Sequence, residues 1–248
     1  MCGRFALRVS PEQVREAFGY AAKPNFPPRY NIAPTQPVAI VREEQGKPEF
    51  ALVRWGLIPP WVKDIRTFPT LINARSEQAA EKPAFRNAIR RRRCLIPADG
   101  FYEWQKTATA KKQPYLIERP DSGVFAFAGL WESWMDAEGN ELDSAAILTT
   151  AANETLEPIH DRMPVVIRPG DYARWLDADH VPPVEVAGLM APAAEDFFHA
   201  YPVSTRVNSV ANDDDGLVAP LAEETTPPAQ LKKKAKDKNP HNGQMSLF

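Results

Sequence analysis

Apolar residues occur along this chain mainly in short runs, separated by polar segments that carry proline or glycine. Short runs rich in Val, Ile, Phe, Tyr and Trp are typical of β-strands, and the segments between them indicate turns. The pattern predicts strands over residues 38–41, 50–55, 94–97, 101–104, 115–117, 125–130, 145–150, 165–167 and 200–203. The polar stretch between the first two predicts a hairpin.

The predicted helices are few and short. Ser10 can cap the first one, a proline follows at its first position, Gln13 can complete a capping box, and Gly19 can end it. Residues 84–93 and 171–176 have further helical patterns, and the arginines of the former are expected on its exposed side.

Two proline-rich segments, 26–36 and 55–61, are predicted to be irregular loops. Because short strands dominate, the sequence predicts the α+β class, with mixed, mainly antiparallel strands. These strands would form a curved, barrel-like core with short helices, in a single domain over residues 1–220.

The composition favours a folded cytoplasmic protein. Apolar residues make up 44 % of the chain, which is enough to fill a core. No run approaches the roughly 18 apolar residues that cross a bilayer, and the N-terminus does not have the pattern of a secretory signal. The 2 cysteines and 4 histidines have no metal-ligand spacing. We therefore expect neither disulfides, metal nor cofactor, and we expect a monomer.

Charge is distributed unevenly along the chain. Residues 1–112 hold 20 Lys+Arg against 10 Asp+Glu, a balance of +10, whereas residues 113–248 hold 10 against 22, a balance of −12. The basic half could present a positive face to a polyanion. Salt bridges between the two halves are the alternative explanation.

Cys2 has the most distinctive chemistry in the sequence. Once Met1 is removed, its α-amine and its thiol lie on adjacent carbons, with ordinary pKa values of about 7.7–8.0 and about 8.5. An amine attacks an aldehyde to give a Schiff base, and the neighbouring thiol can then close a five-membered thiazolidine ring. A cysteine at position 2 without a chemical role is the alternative.

Three further segments carry candidate functional groups. INARSE contains Asn73 and Arg75, an amide that can orient a substrate and a guanidinium that can bind phosphate. Glu103 in GFYEW shares a strand face with a phenylalanine, which indicates either a functional carboxylate or a wrongly predicted register. His160 in PIHDRMP has the side chain best suited to proton transfer near neutral pH. The alternative for INARSE is an ordinary polar turn without a function. The alternative for PIHDRMP is a histidine in a surface loop.

The order of seven motifs closely resembles that of the SOS response-associated peptidase family, a group of abasic-site-capturing proteins found from bacteria to man. The motifs are MCGRF, RYNIAPTQ, WGLIPPW, INARSE, RRRCLIPADGFYEW, FAGLWE and ILTTAAN…IHDRMPVVI. The resemblance implies a cytoplasmic, nucleoid-associated protein that crosslinks to abasic sites in single-stranded DNA. It also implies AP-lyase activity and a self-processing peptidase activity.

The resemblance implies a role for each site residue. Cys2 would form the thiazolidine crosslink, and Asn73 would hold the reacting N-terminus and the sugar. Glu103 would be the acid and base for the ring oxygen and the amine, and His160 would assist ring opening and later proton transfers. DNA contacts are implied for Arg4, Arg75 and Arg162 and expected for Trp61 and Trp104.

Two other functions stay open on the residues themselves. An N-terminal-nucleophile amidohydrolase would use Cys2 with its own amine as base. A single-stranded DNA-binding adaptor would carry out no chemistry.

The C-terminal residues predict a separate binding element. Residues 221–243 are polar, proline-bearing and lysine-rich, which predicts a disordered linker. The chain ends in an apolar motif that resembles the bacterial sliding-clamp-binding pentapeptide QLSLF or QLDLF, and its expected contact residues are Gln244, Met245, Leu247 and Phe248. A frayed terminus is the alternative.

Overall fold

The computed structural model describes residues 2–107 and 112–221, in which strands dominate and helices are short. In chain order the strands are β1 (Phe5–Leu7), β2 (Arg29–Ile32), β3 (Pro37–Glu44), β4 (Lys47–Trp55), β5 (Asn73–Arg75), β6 (Arg93–Ala98), β7 (Gly100–Lys106), β8 (Lys112–Glu118), β9 (Phe125–Met135), β10 (Glu141–Ala151), β11 (Arg162–Pro164), β12 (Val166–Ile167) and β13 (His199–Pro202). The α-helices are α1 (Pro11–Phe18), α2 (Ala88–Arg91) and α3 (Tyr172–Leu176).

One sheet closes on itself. Strands β3, β4, β10, β9 and β6 form a ring in which each strand pairs with the next and β6 pairs back to β3. The β4–β10 pair is parallel and the other four pairs are antiparallel. β5 and β11 pair with the C-terminal part of β10, and β12 pairs with the N-terminal part of β9. This confirms the predicted mixed, barrel-like α+β core.

The second sheet is antiparallel and has the strand order β13-β8-β7-β1-β2. Its Phe5 and Phe101 contact barrel aromatics edge to face: the ring centroids of Phe5 and Trp55 are 5.1 Å apart, and those of Phe101 and Phe127 are 5.8 Å apart. Such pairs add to the free energy of burial. The main hydrophobic core therefore includes residues of both sheets.

Locally encoded elements form as predicted. Ser10 caps α1, its side chain and that of Gln13 complete the capping box, and Gly19 ends the helix with a φ of 70°. β3 and β4 form the predicted hairpin, with Gln45 and Gly46 at positive φ in its tight turn.

Two local predictions are wrong. Within the segment predicted as a loop over 26–36, β2 forms, because its backbone pairs with β1 and the Asp213 carboxylate accepts the N–H groups of Tyr30 and Asn31. The helix predicted over 84–93 is reduced to α2. Arg93, expected on an exposed face, is only 1 % exposed and donates to backbone carbonyls, including those of Trp175 and Val181.

In residues 2–107 and 112–221 no helix combines the length and apolar character needed to cross a bilayer. The C-terminal motif and all but the first residue of the predicted linker lie outside the described residues.

Candidate active site at the N-terminal cysteine

Strand pairing brings residue 2 to the middle of the molecule. Phe5 pairs with Phe101, and the Tyr102 N–H extends this pairing by donating to the Arg4 carbonyl at 3.0 Å. Because the two strands are antiparallel, the residues before Arg4 run alongside Glu103 and the residues that follow it. Cys2 is fully buried there.

Asn73 fixes the backbone of Cys2. Its Nδ2 donates to the Cys2 carbonyl at 2.9 Å. Asn73 begins β5, which pairs in parallel with β10, and the Trp55 indole N–H donates to the carbonyl of Ile72. The Asn73 Oδ1 is also buried, and it accepts no hydrogen bond from any part of the chain that the structure describes.

Glu103 is a buried carboxyl on the inward face of β7. Its exposure is 3 %, and Phe101 on the same face packs in the main core, whereas Tyr102 packs in a separate cluster on the other face. Burial raises the pKa of Glu103, and the nearby His160 partly opposes this rise. The predicted face alternation is therefore correct, and Glu103 holds a proton to a higher pH than an exposed glutamate.

The environment of the Cys2 thiol suppresses the thiolate. Burial raises the pKa of the thiol, and the charge of Glu103 raises it further. The thiol also lies 3.6 Å from the Arg4 carbonyl. The Cys2 thiol is therefore held in its neutral form, within the electrostatic influence of Glu103.

His160 is placed near this pair by two contacts. The side chain of Gln105, two residues after Glu103, donates to the Pro158 carbonyl at 3.0 Å. The backbone N–H of Arg162 donates to Nδ1 of His160 at 3.0 Å. The same Nδ1 also lies 2.9 Å from Oδ1 of Asp161, to which a protonated Nδ1 would donate.

A cleft of about 440 Å³ opens beside Asn73. Its walls are mainly apolar, and two cations and an exposed tryptophan stand among them. The lining residues are Trp61, Leu71, Asn73, Arg75, Gln78, Lys82, Pro83, Ala84 and Phe85. Three of the predicted site residues therefore share one cleft.

The three predicted phosphate-binding arginines differ in what they contact. Arg75 is exposed at the cleft. Arg4 donates from Nη1 to Asn31 and to the Val207 carbonyl, both at 2.8 Å. Arg162 is bound to Glu77 through both terminal nitrogens. DNA binding by all three stays a prediction, and only Arg75 shares the cleft with Asn73.

The two predicted tryptophans lie in different surroundings. Trp61 is 57 % exposed and meets Phe68 edge to face at 5.6 Å. Trp104 follows Glu103 on β7, and its indole N–H donates to Asn208 at 2.8 Å. Trp61 is thus largely open to solvent, whereas Trp104 shares its partner Asn208 with Arg4, whose Nη2 donates to the Asn208 carbonyl at 3.3 Å.

The sequence predicted no function for four residues of this region, which are Asn31, Glu77, Gln105 and Asn208. Asn31 and Glu77 lie inside quoted motifs, RYNIAPTQ and INARSE, which is the one signal that could have found them. Gln105 follows GFYEW directly, and Asn208 lies in no motif. Each acts through a contact with a residue far away in the sequence, so local patterns could not reveal its role.

The fold and the site together define a class of proteins: a closed mixed barrel with a second antiparallel sheet that holds a residue-2 cysteine against a buried carboxyl. The chain belongs to the SOS response-associated peptidase (SRAP) family, whose model matches residues 1–210.

Relatives span nearly the whole chain. It is 40 % identical over 221 residues to the abasic site processing protein YoqW of Bacillus subtilis, covering 88 % of this chain and 99 % of that one. It is 32 % identical over 233 residues to YedK of Escherichia coli, also named an abasic site processing protein, covering 89 % and 100 %. A crystal structure from Bacteroides thetaiotaomicron has a TM-score of 0.79 at 26 % identity and covers 89 % of this chain and 100 % of that one.

Proposed function

We propose that this protein processes abasic sites in single-stranded DNA by forming a covalent thiazolidine crosslink through Cys2. The observation that carries the proposal is the placement of Cys2, whose carbonyl is held by Asn73 and whose thiol lies within the electrostatic reach of the buried Glu103. The names of its relatives as abasic site processing proteins support the same substrate.

The reaction begins with the sugar. An abasic sugar exists as a closed hemiacetal and an open aldehyde, and only the aldehyde reacts with an amine. Glu103, whose pKa is raised by burial, can give a proton to the ring oxygen as the ring opens. His160, in electrostatic contact with Glu103, can accept the hydroxyl proton.

The covalent steps need only the amine and thiol of processed Cys2. The amine nitrogen attacks the aldehyde carbon, water leaves, and an imine forms. The thiol sulfur then adds to the imine carbon while its proton passes to the nitrogen, which closes the five-membered ring. If the ring does not close, the imine permits β-elimination and strand cleavage, so AP-lyase activity is a side reaction of the same site.

The orphaned oxygen of Asn73 fits this scheme. A buried acceptor without a partner costs about 1–3 kcal/mol, so such a group is expected to find a donor during function. The amine of processed Cys2 and the hydroxyls of the sugar are both donors. Asn73 would then hold the Cys2 carbonyl with its nitrogen and the reacting group with its oxygen.

The cleft beside Asn73 suits a DNA strand. Arg75 and Lys82 are exposed cations on its rim, and Trp61 presents a ring on which a base can stack. We propose that the protein acts as a monomer in the cytoplasm, at the nucleoid, on single strands that contain abasic sites.

The experiment that tests the crosslink is a denaturing gel of protein with abasic single-stranded DNA. The wild-type protein should give a heat-stable adduct. Cys2→Ala should give none, because the ring cannot close, and should still bind the DNA, because phosphate contacts supply most of that affinity. A stable adduct from Cys2→Ala would overturn the mechanism.

A matched variant separates the two functional groups. Cys2→Ser keeps the amine but lacks the sulfur, so borohydride should trap its imine although no stable adduct forms. A protein that retains Met1 and is acetylated at its N-terminus has no free α-amine, so it should give neither product. The same gel addresses the two alternatives, because a binding adaptor gains no covalent mass, and a parallel glutaminase assay tests the amidohydrolase.

We further propose that the C-terminal QMSLF segment binds the bacterial sliding clamp. Met245 replaces the first leucine of the usual motif, which conserves side-chain volume. Leu247 and Phe248 would fill an apolar pocket, and the lysine-rich linker would raise the effective concentration of the protein on nearby DNA.

We also propose that Cys2 takes part in the removal of Met1 from its own chain.

The clamp proposal is tested by titrating a labelled peptide of residues 239–248 with purified bacterial clamp. Saturable binding that is lost when Leu247 and Phe248 are changed to Ala is the expected result. Binding that survives both substitutions, or no saturable binding, would contradict it.

A further inference from the structure

Most arginines of this protein are bound to other groups of the chain. Arg8, Arg29 and Arg42, for example, bind carboxylates, and Arg93 binds backbone carbonyls. Among the residues that the structure describes, five arginine side chains make no hydrogen bond, ion pair or ring contact; they are Arg75, Arg86, Arg90, Arg91 and Arg168. The first four of these lie in one short segment of the chain, which begins at the cleft beside Asn73.

Three cations of this segment lie on one side of a helical stretch. The Arg86 N–H donates to the Lys82 carbonyl at 2.9 Å, and backbone hydrogen bonds of the same kind follow up to residue 92. Because residues four apart in a helix share a side, Lys82, Arg86 and Arg90 form a row. The opposite side of the stretch, with Phe85 and Ile89, packs in the main core. The row therefore faces outward, and all three of its cations are exposed.

This basic row leads away from the cleft. Lys82 lines the cleft, whereas Arg90 lines a separate groove of about 650 Å³. Eight residues separate the two ends of the row, which at about 1.5 Å per residue is a length of about 12 Å. Along that length one strand of stacked DNA carries about 3–4 phosphates, since they follow each other at about 3.4 Å. The basic row thus extends the positive wall of the cleft over several nucleotides.

Nearby carboxylates do not neutralise the basic row. Between residues 75 and 92 the acidic residues are Glu77 and Glu81. Glu77 is paired with Arg162, and Glu81 is a single exposed charge. Arg91, which is exposed directly after Arg90, adds a further positive charge. The segment therefore keeps a positive surface, which attracts a polyanion.

We infer that Lys82, Arg86 and Arg90 bind the DNA backbone outside the cleft, on one side of the abasic site. This inference rests on the proposed function, because it requires the cleft to receive the abasic strand. Phe85 is the one aromatic residue between residues 82 and 92, and it is buried in the core. Since no exposed ring of this segment can stack on a base, the basic row binds phosphates and is indifferent to base sequence.

The test measures how binding depends on strand length on each side of the site. The probes are single-stranded oligonucleotides with a tetrahydrofuran abasic analogue, which has no aldehyde and cannot crosslink. The short probe has about three nucleotides on either side of the analogue, and the longer probes add about six nucleotides to the 5′ side or to the 3′ side, a range within that of single-strand binding sites. Affinity is measured for each probe across a salt series.

The variants compare the basic row with equal charge removed elsewhere. Arg86→Gln/Arg90→Gln removes two charges of the row. Arg168→Gln/Lys47→Gln removes two charges of other exposed side chains, outside the segment. Because the side chains of Arg86 and Arg90 make no contact within the described residues, the row variant should keep the wild-type melting temperature.

In the wild type, extension on one side should steepen the dependence of log K on log salt by about 1.4, because Arg86 and Arg90 would each add about 0.7. The row variant should lose this increment and keep the effect of extending the other side. The control variant should keep both. Extensions of different base sequence should give the same increment.

Three results would overturn the inference. They are an increment that survives in the row variant, an equal loss in the control variant, and an increment that depends on the base sequence of the extension. Failure of the proposed function looks different, since the wild-type protein would then give no adduct with a true abasic strand, whatever the salt series shows.

Discussion

At the scale of single residues, Glu103 occupies an environment poorly suited to an ionised carboxylate. It shares a strand face with a core phenylalanine, and its exposure is 3 %. Desolvation of the charged form is the largest cause of its raised pKa. A residue kept in such a place is a candidate for proton transfer, because the same burial that costs stability brings the pKa closer to neutral pH.

The first prediction concerns Glu103→Gln. This change should slow crosslinking by about 10²–10⁴-fold, the usual contribution of a general acid or base. Binding to a single-stranded oligonucleotide that carries a tetrahydrofuran abasic analogue, which has no aldehyde and cannot crosslink, should remain. Glu132→Gln is the matched control, because Glu132 is also a buried carboxyl with a raised pKa but is bound to Arg92 and Asn87. An unchanged rate in Glu103→Gln would remove the carboxyl from the mechanism.

The same variant should change stability in a pH-dependent way. The folded-state pKa of Glu103 is raised above its unfolded value, so the associated stability is full below the unfolded pKa of about 4.3 and is lost as pH rises through the folded pKa. Gln cannot ionise and avoids this loss. Urea unfolding should show a larger free energy of unfolding for Glu103→Gln than for wild type at about pH 8, with the gain absent at about pH 4. A gain that is equal at both pH values would contradict the assignment.

At the scale of elements, the segment between β4 and β5 carries Trp61 to the cleft and is fixed at both ends. Leu57 and Leu71 form a bridge, and the Trp134 indole donates to the Val62 carbonyl at 2.6 Å. Ile58, Val62 and Trp134 form a small core of their own. The predicted irregular segment over 55–61 is thus part of a compact loop whose shape depends on β9 and β10.

The second prediction concerns Gly56, which ends β4 and opens this loop. Its φ is +123°, and a Cβ there would lie 2.5 Å from Thr70 Cγ2 and 2.8 Å from Arg54 Nη1. Gly56→Ala should lower the free energy of unfolding by about 1–3 kcal/mol, the usual cost of a strained backbone position, and should weaken binding to the tetrahydrofuran oligonucleotide by displacing Trp61.

Gly46→Ala is the matched control for this variant. Gly46 also has a positive φ, of +77°, but open space around its Cα. Gly46→Ala should lower the free energy of unfolding only by the cost of the strained backbone, and it should leave oligonucleotide binding unchanged. Equal losses of stability in the two variants would mean that contact with Thr70 and Arg54 has no effect.

At the scale of the whole molecule, salt bridges connect the basic and the acidic halves of the chain. Several arginines of the basic half pair with carboxylates of the acidic half: Arg8 with Glu118, Arg29 with Asp213, Arg42 with Asp143 and Arg92 with Glu132. The alternative explanation from the sequence, salt bridges between the halves, is thus correct for these residues. Arg75 and Lys82 at the cleft remain exposed.

The third prediction concerns the end of the folded unit. Leu217 is fully buried, the Asp213 carboxylate holds the backbone of β2, and the Leu221 N–H donates to the Pro202 carbonyl at 2.9 Å. A protein ending after Leu221 should keep the melting temperature and crosslinking rate of the full chain. A protein ending at residue 210 should melt several degrees lower, since about 1 kcal/mol shifts the melting temperature by about 2–4 °C at this size.

Calorimetry of the three lengths checks this prediction. Equal melting temperatures for the two shortened proteins would show that residues 211–221 contribute nothing to stability. A loss of crosslinking in the 221-residue protein would show that the C-terminal segment takes part in the chemistry.

Much of the fold followed from local sequence signals. The cap residues of α1 and the turn of the β3–β4 hairpin satisfy backbone groups within a few residues, so their geometry is encoded where they stand. Strand β2 and the burial of Arg93 could not be predicted in this way. Their backbone and side-chain partners, Asp213 and the carbonyl of Trp175, lie 183 and 82 residues away.

The sequence by itself determined the chemistry of Cys2, because its amine and thiol belong to one residue and need no fold to be adjacent. The period of a strand also predicted that Glu103 shares a face with Phe101, but the structure decided that this face is the inward one. Only the tertiary structure decided that Asn73 binds the Cys2 carbonyl, across 71 residues, and that Arg162 is paired with Glu77, across 85. Such contacts depend on which strands pair and in what register, and these long-range choices leave no local pattern along the chain.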